Sequence, residues 1–106
     1  MPDVVYTADG IVFEWNEEKS ESNKVKHDVD FRVAALIFAG PTVDLGVDKH
    51  ADGEMRVLTV GVVMGVTYIA VVNVDREDHI RIISARKADR KERTLYDKEI
   101  YGGSFH

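Results

Sequence analysis

The sequence predicts a single α+β domain, and three observations support that prediction. The chain has 106 residues, of which 44% are hydrophobic and 31% charged, a balance typical of one folded domain with a modest core. Segments rich in Val, Ile and Thr occur together with three helix-capping sequences. The strand candidates in the second half are joined by short turn-forming links, which favours antiparallel neighbours. The predicted order is therefore β-α-α-β-β-β-β-α, with an antiparallel sheet packed by helices.

The first predicted strand and helix lie in the N-terminal quarter of the chain. Residues 11–15, IVFEW, form the strand, and Asn16 is a typical N-cap for a helix over about 17–27. This helix is unusually polar, and helical spacing places four polar side chains on one of its faces, namely Lys19, Asn23, Lys26 and His27. We expect Trp15 in the core rather than on the surface as a platform for a stacked base.

Two further helices and four strands are predicted downstream. Asp30 is the N-cap of a second helix, which ends at Gly40-Pro41 and has an apolar face made of Phe31, Ala34, Ala35 and Phe38. The strand candidates are residues 42–47, 55–63, 66–74 and 79–86. Asp89 begins the last helix, with Glu92 three residues later as in a capping box, and Gly102-Gly103 ends it.

Positive charge is concentrated in the last quarter of an acidic chain. The formal net charge is −5, yet residues 79–106 carry seven Lys/Arg against four Asp/Glu, a net charge of +3. Residues 1–78 carry seven Lys/Arg against fifteen Asp/Glu, a net charge of −8. Such asymmetry hints at separate partners for separate surfaces, although on charge alone a solvated helix face is the more common explanation of a basic segment.

Two arginines lie in the last predicted strand, where charge is least expected. Strict alternation places Arg81, Ile83 and Ala85 on one face and puts the rest on the other, namely Ile80, Ile82, Ser84 and Arg86. Both faces are partly apolar, which indicates a central strand. A charged side chain there is costly unless it is paired or lines a cleft. The candidate partners for structural ion pairs are Glu14 and Glu92.

Several functional classes find no support in the sequence. The chain has no cysteine, which excludes disulfides and thiolate zinc sites and suits a reducing compartment. The N-terminus does not resemble a signal peptide, and the apolar stretches are too interrupted for a spanning helix, so we expect a cytoplasmic protein without membrane contact. Residues 48–52, DKHAD, contain ligand-type side chains but are more typical of a solvated loop. We therefore predict no metal and no cofactor.

Four segments resemble the BrnT toxins of type II toxin–antitoxin modules. These are FEWNEEKSESNKVKHDVDF, AALIFAGP, EMRVLTVG and IRIISARKADRKERTLY, and together they span about residues 12–97. The resemblance implies one RelE-like domain over residues 1–106 with its core at about 12–97, acting as an endonuclease that cleaves mRNA and halts translation. It also implies a BrnA-like ribbon-helix-helix antitoxin that forms a heterotetramer with the toxin. In this complex, operator DNA is bound only through the antitoxin.

The site residues follow from the resemblance together with the chemistry of RNA cleavage. Cleavage without metal needs proton transfer, which histidine performs near neutral pH, and fixed positive charge, which arginine supplies as a bidentate phosphate donor. The predicted catalytic residues are His27, Arg56, Arg81 and Arg86. The predicted RNA-binding residues are Lys26, Lys87, Arg90 and Arg93. The general acid stays open, and His27 has the alternative role of complementing the dipole of its helix.

Four positions depart from the family pattern, and two of them lead to an alternative hypothesis. Asn16 stands where Asp is usual, Asp28 replaces the glycine that normally follows Lys-His, and Asn73-Val74 stands where the family commonly has Tyr-Thr. Asp28 adds negative charge beside His27, and Asn73 removes a phenol. The alternative is a catalytically attenuated toxin homologue that binds the antitoxin and acts as a co-repressor. A plain nucleic-acid-binding module is opposed by the acidic remainder of the chain.

Overall fold

Six strands form one sheet with helices on both of its faces, as seen in a computed structural model that describes residues 3–49 and 53–102. The strands are β1 (Asp3–Ala8), β2 (Ile11–Asn16), β3 (Thr42–Lys49), β4 (Met55–Val63), β5 (Thr67–Asp75) and β6 (Ile80–Lys87). The helices are α1 (Glu17–His27), α2 (Phe31–Ala35) with a 3-10 helix (Leu36–Ala39) after it, and α3 (Arg90–Tyr101). The strand order across the sheet is β1-β2-β6-β5-β4-β3, so β6 is central, as predicted.

The predicted antiparallel sheet and element order were wrong in two respects. An additional strand, β1, forms a hairpin with β2 through a turn at Asp9 and Gly10, both of which have positive φ. The sheet is also mixed, because β2 runs parallel to β6 through only two residue pairs. A parallel pair needs a long crossover, and the helices and three strands between β2 and β6 supply it. In addition, β3 extends to Lys49, two residues beyond the predicted end.

All three predicted N-caps are confirmed. The side chain of Asn16 accepts a hydrogen bond from the backbone N–H of Lys19, and that of Asp30 accepts one from Arg32. Asp89 and Glu92 form a reciprocal capping box at the start of α3. Gly102 follows the last residue of α3, and Gly103, which was predicted to end the helix with it, is outside the described residues.

The two faces of the sheet are covered unequally. On the front face, α2 and the 3-10 helix bury the main core, whose largest side chains are Trp15, Phe13, Phe31, Ile37 and Ile69. On the back face, α3 covers a smaller cluster of Val60, Ala70 and Tyr96. Because α3 contacts mainly β3 and β4, much of the back face over β6 stays open. None of the described helices is long and apolar enough to cross a membrane.

The predicted alternation of the side chains of β6 was wrong, because this strand contains a β-bulge. Val72 pairs with Ser84 and Asn73 pairs with Ile82, which leaves Ile83 as an extra residue in β6. Ile82 and Ala85 therefore both enter the front core, although they are three residues apart. As a result, Arg81, Ser84 and Arg86 all lie on the back face.

The polar helix α1 takes the place of a strand beside β6. Beyond the two residue pairs with β2, the edge of β6 is completed by the side chain of Asn23, which is buried. Its Oδ1 accepts from the N–H of Ala85 at 3.0 Å, and its Nδ2 donates to the carbonyls of Ala85 at 2.7 Å and Val29 at 3.0 Å. This amide bridge places the face of α1 that carries Lys19, Lys26 and His27 next to the open back face of the sheet.

Candidate nucleic-acid interface

A groove crosses the open back face of the sheet and is made of two adjoining concavities that share Ile83 and Ser84. We call it the back-face groove. The α1 end has a volume of about 250 Å³ and is lined by Lys19, Ser22, Asn23, Lys26 and His27. The β3 end has a volume of about 460 Å³ and is lined by Gly46, Val47, Asp48, Arg56, Val57, Leu58 and Val72. The structure therefore brings the predicted His27, Lys26 and Arg56 to one surface.

Arg56 differs from the other two predicted catalytic arginines, Arg81 and Arg86, because its guanidinium has no partner among the described residues. No hydrogen bond or ion pair joins it to any residue in the described ranges, and its buried Nε lacks a partner there. Its cross-strand neighbour is Asp48 of β3, whose carboxylate is likewise without a partner among the residues described. An arginine fork that is held in a groove without a protein acceptor suits a phosphate ligand.

Arg81 is held by the N-terminal hairpin. Its Nη1 lies 3.1 Å from the carboxylate of Asp3 and 3.0 Å from Glu14 Oε1. The Nε2 atom of His79 lies 3.2 Å from the same oxygen of Glu14. The Nδ1 atom of His79 lies 2.7 Å from the carboxylate of Asp78. Burial raises the pKa of Glu14, but the hydrogen bond from Arg81 and the nearby imidazole of His79 outweigh that effect and lower the pKa. The hydrogen bond to Asp78, supported by Glu14, raises the pKa of His79.

Arg86 joins β6 to the start of α3. Its two terminal nitrogens donate to the two oxygens of Glu92 at 2.7 and 2.8 Å, a bidentate pair. Glu92 also accepts from the backbone N–H of Asp89 at 2.9 Å as part of the capping box. The hydrogen bond from Arg86 is the main cause that lowers the pKa of Glu92 below 4.5. Both arginines therefore pair with a carboxylate named from the sequence, Arg81 with Glu14 and Arg86 with Glu92.

The Arg86–Glu92 pair predicts a specific pH dependence of stability. Because the folded pKa of Glu92 is lowered, its stabilising contribution is complete above the unfolded pKa near 4.5 and disappears as the pH falls through the folded value. We expect Arg86→Ala to lower the free energy of unfolding by about 1–2 kcal/mol at pH 7, since the pair is partly exposed. Urea unfolding should show this difference narrowing below about pH 4.5. A difference independent of pH, or one that Glu92→Gln does not reproduce, would contradict the assignment.

The remaining predicted RNA-binding residues lie away from the back-face groove. Lys87 pairs with Ile69 of the front core, so it projects from the opposite face of β6 to Arg86. Arg90 and Arg93 line a separate concavity on α3, together with Tyr68, Thr94 and Asp97. The basic segment of the sequence is therefore divided between several surfaces, because a strand and a helix that follow each other point their side chains in different directions.

Some groove residues were not singled out from the sequence. The register of β3, β4, β5 and β6 aligns four of them in one cross-strand row on the back face, namely Gly46, Leu58, Val72 and Ser84. Their alignment depends on strand order and on the bulge at Ile83, neither of which a local pattern contains. The described residues include no group of three or more His, Asp or Glu placed to bind a metal ion, and residues 50–52 of the DKHAD segment are outside them.

Comparison with known proteins places the chain among small toxin domains. It is similar to the crystal structure of the ribonuclease toxin BrnT of Brucella abortus, with a TM-score of 0.54 and 25% sequence identity over 72% of this chain and 94% of that one. The family model described as the ribonuclease toxin BrnT of type II toxin–antitoxin systems matches residues 15–92. The chain belongs to the BrnT family. A search of curated proteins gave no match.

Family membership confirms the resemblance found in the sequence, and it implies an antitoxin as partner. The α+β class is confirmed as well. The narrower description of the fold as RelE-like stays a prediction, as does the treatment of residues 1–106 as one domain.

Proposed function

We propose that this chain is an endoribonuclease that cleaves mRNA without a metal ion and thereby inhibits translation. The observation that carries the proposal is the back-face groove, with His27 and Lys26 at one end and Arg56, which has no partner among the described residues, at the other. RNA supplies the phosphates for such cationic groups. Its 2′-hydroxyl supplies an internal nucleophile, so the reaction needs no external one.

His27 is the proposed proton-transfer group. In this mechanism it takes the 2′-hydroxyl proton as the 2′-oxygen attacks the phosphorus, and the 5′-oxygen leaves. The products are a 2′,3′-cyclic phosphate and a 5′-hydroxyl end. Arg56 donates to the phosphate oxygens, where negative charge develops in the transition state. The leaving 5′-oxygen takes its proton from water, since no side chain is assigned as the general acid.

Arg81 and Arg86 have a proposed phosphate-binding role alongside their ion pairs. Each guanidinium has five N–H donors, so a carboxylate partner leaves some of them free. Both lie on the back face of the sheet without lining the groove, and Arg86 is 39% exposed at its side chain. In this proposal, Lys26 adds positive charge at the α1 end. The residues Lys87, Arg90 and Arg93 bind more distant phosphates of the same RNA.

The antitoxin is proposed to be a BrnA-like ribbon-helix-helix protein that covers the groove in a heterotetramer. Blocking phosphate access is the simplest way to inhibit a small nuclease, and an acidic or hydrogen-bonding group of the antitoxin would meet Arg56. Operator DNA is then bound only through the antitoxin. Arg86→Ala is expected to weaken toxicity and antitoxin affinity together, because both ligands would contact the same face.

A second candidate function, an attenuated toxin that acts as co-repressor, depends on Asp28 and Asn73. Asp28 adopts a left-handed conformation (φ 58°) at the end of α1, next to His27. That conformation favours glycine, so the family glycine has a structural reason and Asp28 adds both strain and charge. Asn73 is buried and donates to Thr59 Oγ1 and to the carbonyls of Val57 and Val71. It points into the interior, so its effect on the groove would be indirect.

Induction in a bacterial host tests the first candidate against the second. We expect growth arrest with loss of full-length transcripts, and purified protein should cut single-stranded RNA in the presence of EDTA. Asp28→Gly separates the candidates. If the wild-type protein is not toxic and Asp28→Gly is, the wild type is an attenuated toxin. If both forms are folded and neither cleaves RNA, the ribonuclease proposal is refuted.

A further inference from the structure

The β3 end of the back-face groove contains a carboxylate that phosphate binding does not explain. Asp48 lines the groove beside Arg56, and no ion pair connects the two among the residues described. A carboxylate repels RNA phosphates, so a groove that bound only phosphates would have a higher affinity for RNA without it. Asp48 becomes favourable only where the ligand presents N–H donors next to its phosphates.

The floor of this end is mainly apolar. Leu58 and Val72 are cross-strand neighbours on the back face, with Ile83 and Ser84 of β6 beyond them. On the other side, Gly46 continues the row without a side chain, and a β-carbon built there would meet no heavy atom within 4 Å. The concavity of about 460 Å³ is open above this floor. Aliphatic side chains at the edge of a groove accept the face of an unstacked base.

We propose that the β3 end is a nucleobase subsite that selects guanine in single-stranded RNA. The base lies on Leu58 and Val72 over the open position of Gly46. Guanine presents two adjacent N–H donors on its Watson–Crick edge, and Asp48 accepts both with its two oxygens. Adenine, cytosine and uracil do not offer that pair. Arg56 binds the adjoining phosphate, and the strand continues across Ser84 toward His27 and Lys26. This inference rests on the proposed ribonuclease function and specifies its substrate.

The test measures binding of short oligouridine strands that carry one central guanine, adenine, cytosine or uracil. All strands are 2′-O-methylated, so that they cannot be cleaved by attack of the 2′-oxygen. We expect wild-type protein to bind the guanine strand about tenfold more tightly than the uridine strand by fluorescence anisotropy. Asp48→Asn should remove that preference, because an amide cannot accept from both donors. Equal affinity for the four strands, or a guanine preference that survives Asp48→Asn, would overturn the proposal.

A second variant tests the position of the base without changing charge. Gly46→Val places a side chain over the floor, and we expect it to weaken binding of the guanine strand about tenfold while the uridine strand is little affected. Gly40→Val is the matched control, since Gly40 is also in extended backbone with open space and lies outside the groove. Its affinities should equal those of the wild type. Equal losses in both variants would overturn the placement.

Unmethylated strands separate this proposal from the ribonuclease function itself. Cleavage of all four strands with equal affinities would reject the guanine subsite and leave the ribonuclease intact. Guanine-selective binding without cleavage of any strand would support the subsite and reject the ribonuclease.

Discussion

Arg56→Ala is expected to reduce RNA cleavage by about 10²- to 10³-fold and to abolish toxicity in the host. The reason is that Arg56 is the predicted catalytic arginine whose guanidinium has no acceptor within the described ranges, so its full charge is available to the phosphate. Loss of a single donor that stabilises charge in a transition state has effects of this size. Stability should change by less than about 1 kcal/mol, because Arg56 makes no ion pair with any residue that the structure describes. Single-turnover cleavage and urea unfolding measure the two quantities.

Arg76→Ala is the matched control for this prediction. Arg76 lies in the link between β5 and β6, away from the back-face groove, and pairs with Glu54 at the surface. The substitution removes the same charge, so it should affect weak electrostatic attraction of RNA equally but leave the rate of cleavage unchanged. Comparable losses in both variants would show that Arg56 contributes only net charge. Arg56→Lys adds a further test, since a lysine keeps the charge without the bidentate fork.

Asn23→Ala should lower the free energy of unfolding by about 2–4 kcal/mol, the largest stability effect expected of a polar residue in this fold. The substitution removes three buried hydrogen bonds and leaves the N–H and C=O of Ala85 and the carbonyl of Val29 without their partner. An unmet buried backbone group is costly because water cannot replace the lost bond. Urea unfolding gives the energy, and amide exchange at Ala85 reports the lost bridge directly.

Glu21→Ala serves as the control on the same helix. Glu21 is exposed, and its replacement should change the free energy of unfolding by no more than about 0.5 kcal/mol. Exchange at Ala85 should stay slow in this variant. If Asn23→Ala leaves exchange at Ala85 unchanged, the amide bridge does not complete the edge of β6, and the position of α1 needs another explanation.

Local sequence signals predicted the helices well and the sheet less well. Asn16, Asp30 and Asp89 are caps, and a cap acts on the next three backbone groups, so its pattern is contained in a few residues. The hairpin strand β1 was missed, and the parallel pairing of β2 with β6 joins Glu14 to Arg81, far apart in the chain. Nothing within a short window specifies such a pairing.

The candidate site shows the same division between local and long-range information. His27 and Lys26 share a helical face, which spacing alone predicts, and the structure places them together in the groove. Arg81 and Arg86 were predicted on opposite faces of β6, but the bulge at Ile83 turns both toward the back. A bulge adds one residue to one strand only. Beyond the bulge, the side chains of that strand therefore point to the opposite face from the one that strict alternation predicts.

The central claim is that RNA is bound and cleaved in the back-face groove. The most direct measurement is an NMR titration of the protein with a 2′-O-methylated single-stranded RNA, which occupies the site without being cut. We predict that the largest shifts of backbone amides fall at the end of α1 near His27, at Ser84 in β6 and at Arg56 in β4. Shifts confined to α3 around Arg90 and Arg93, with none at these three positions, would contradict the account.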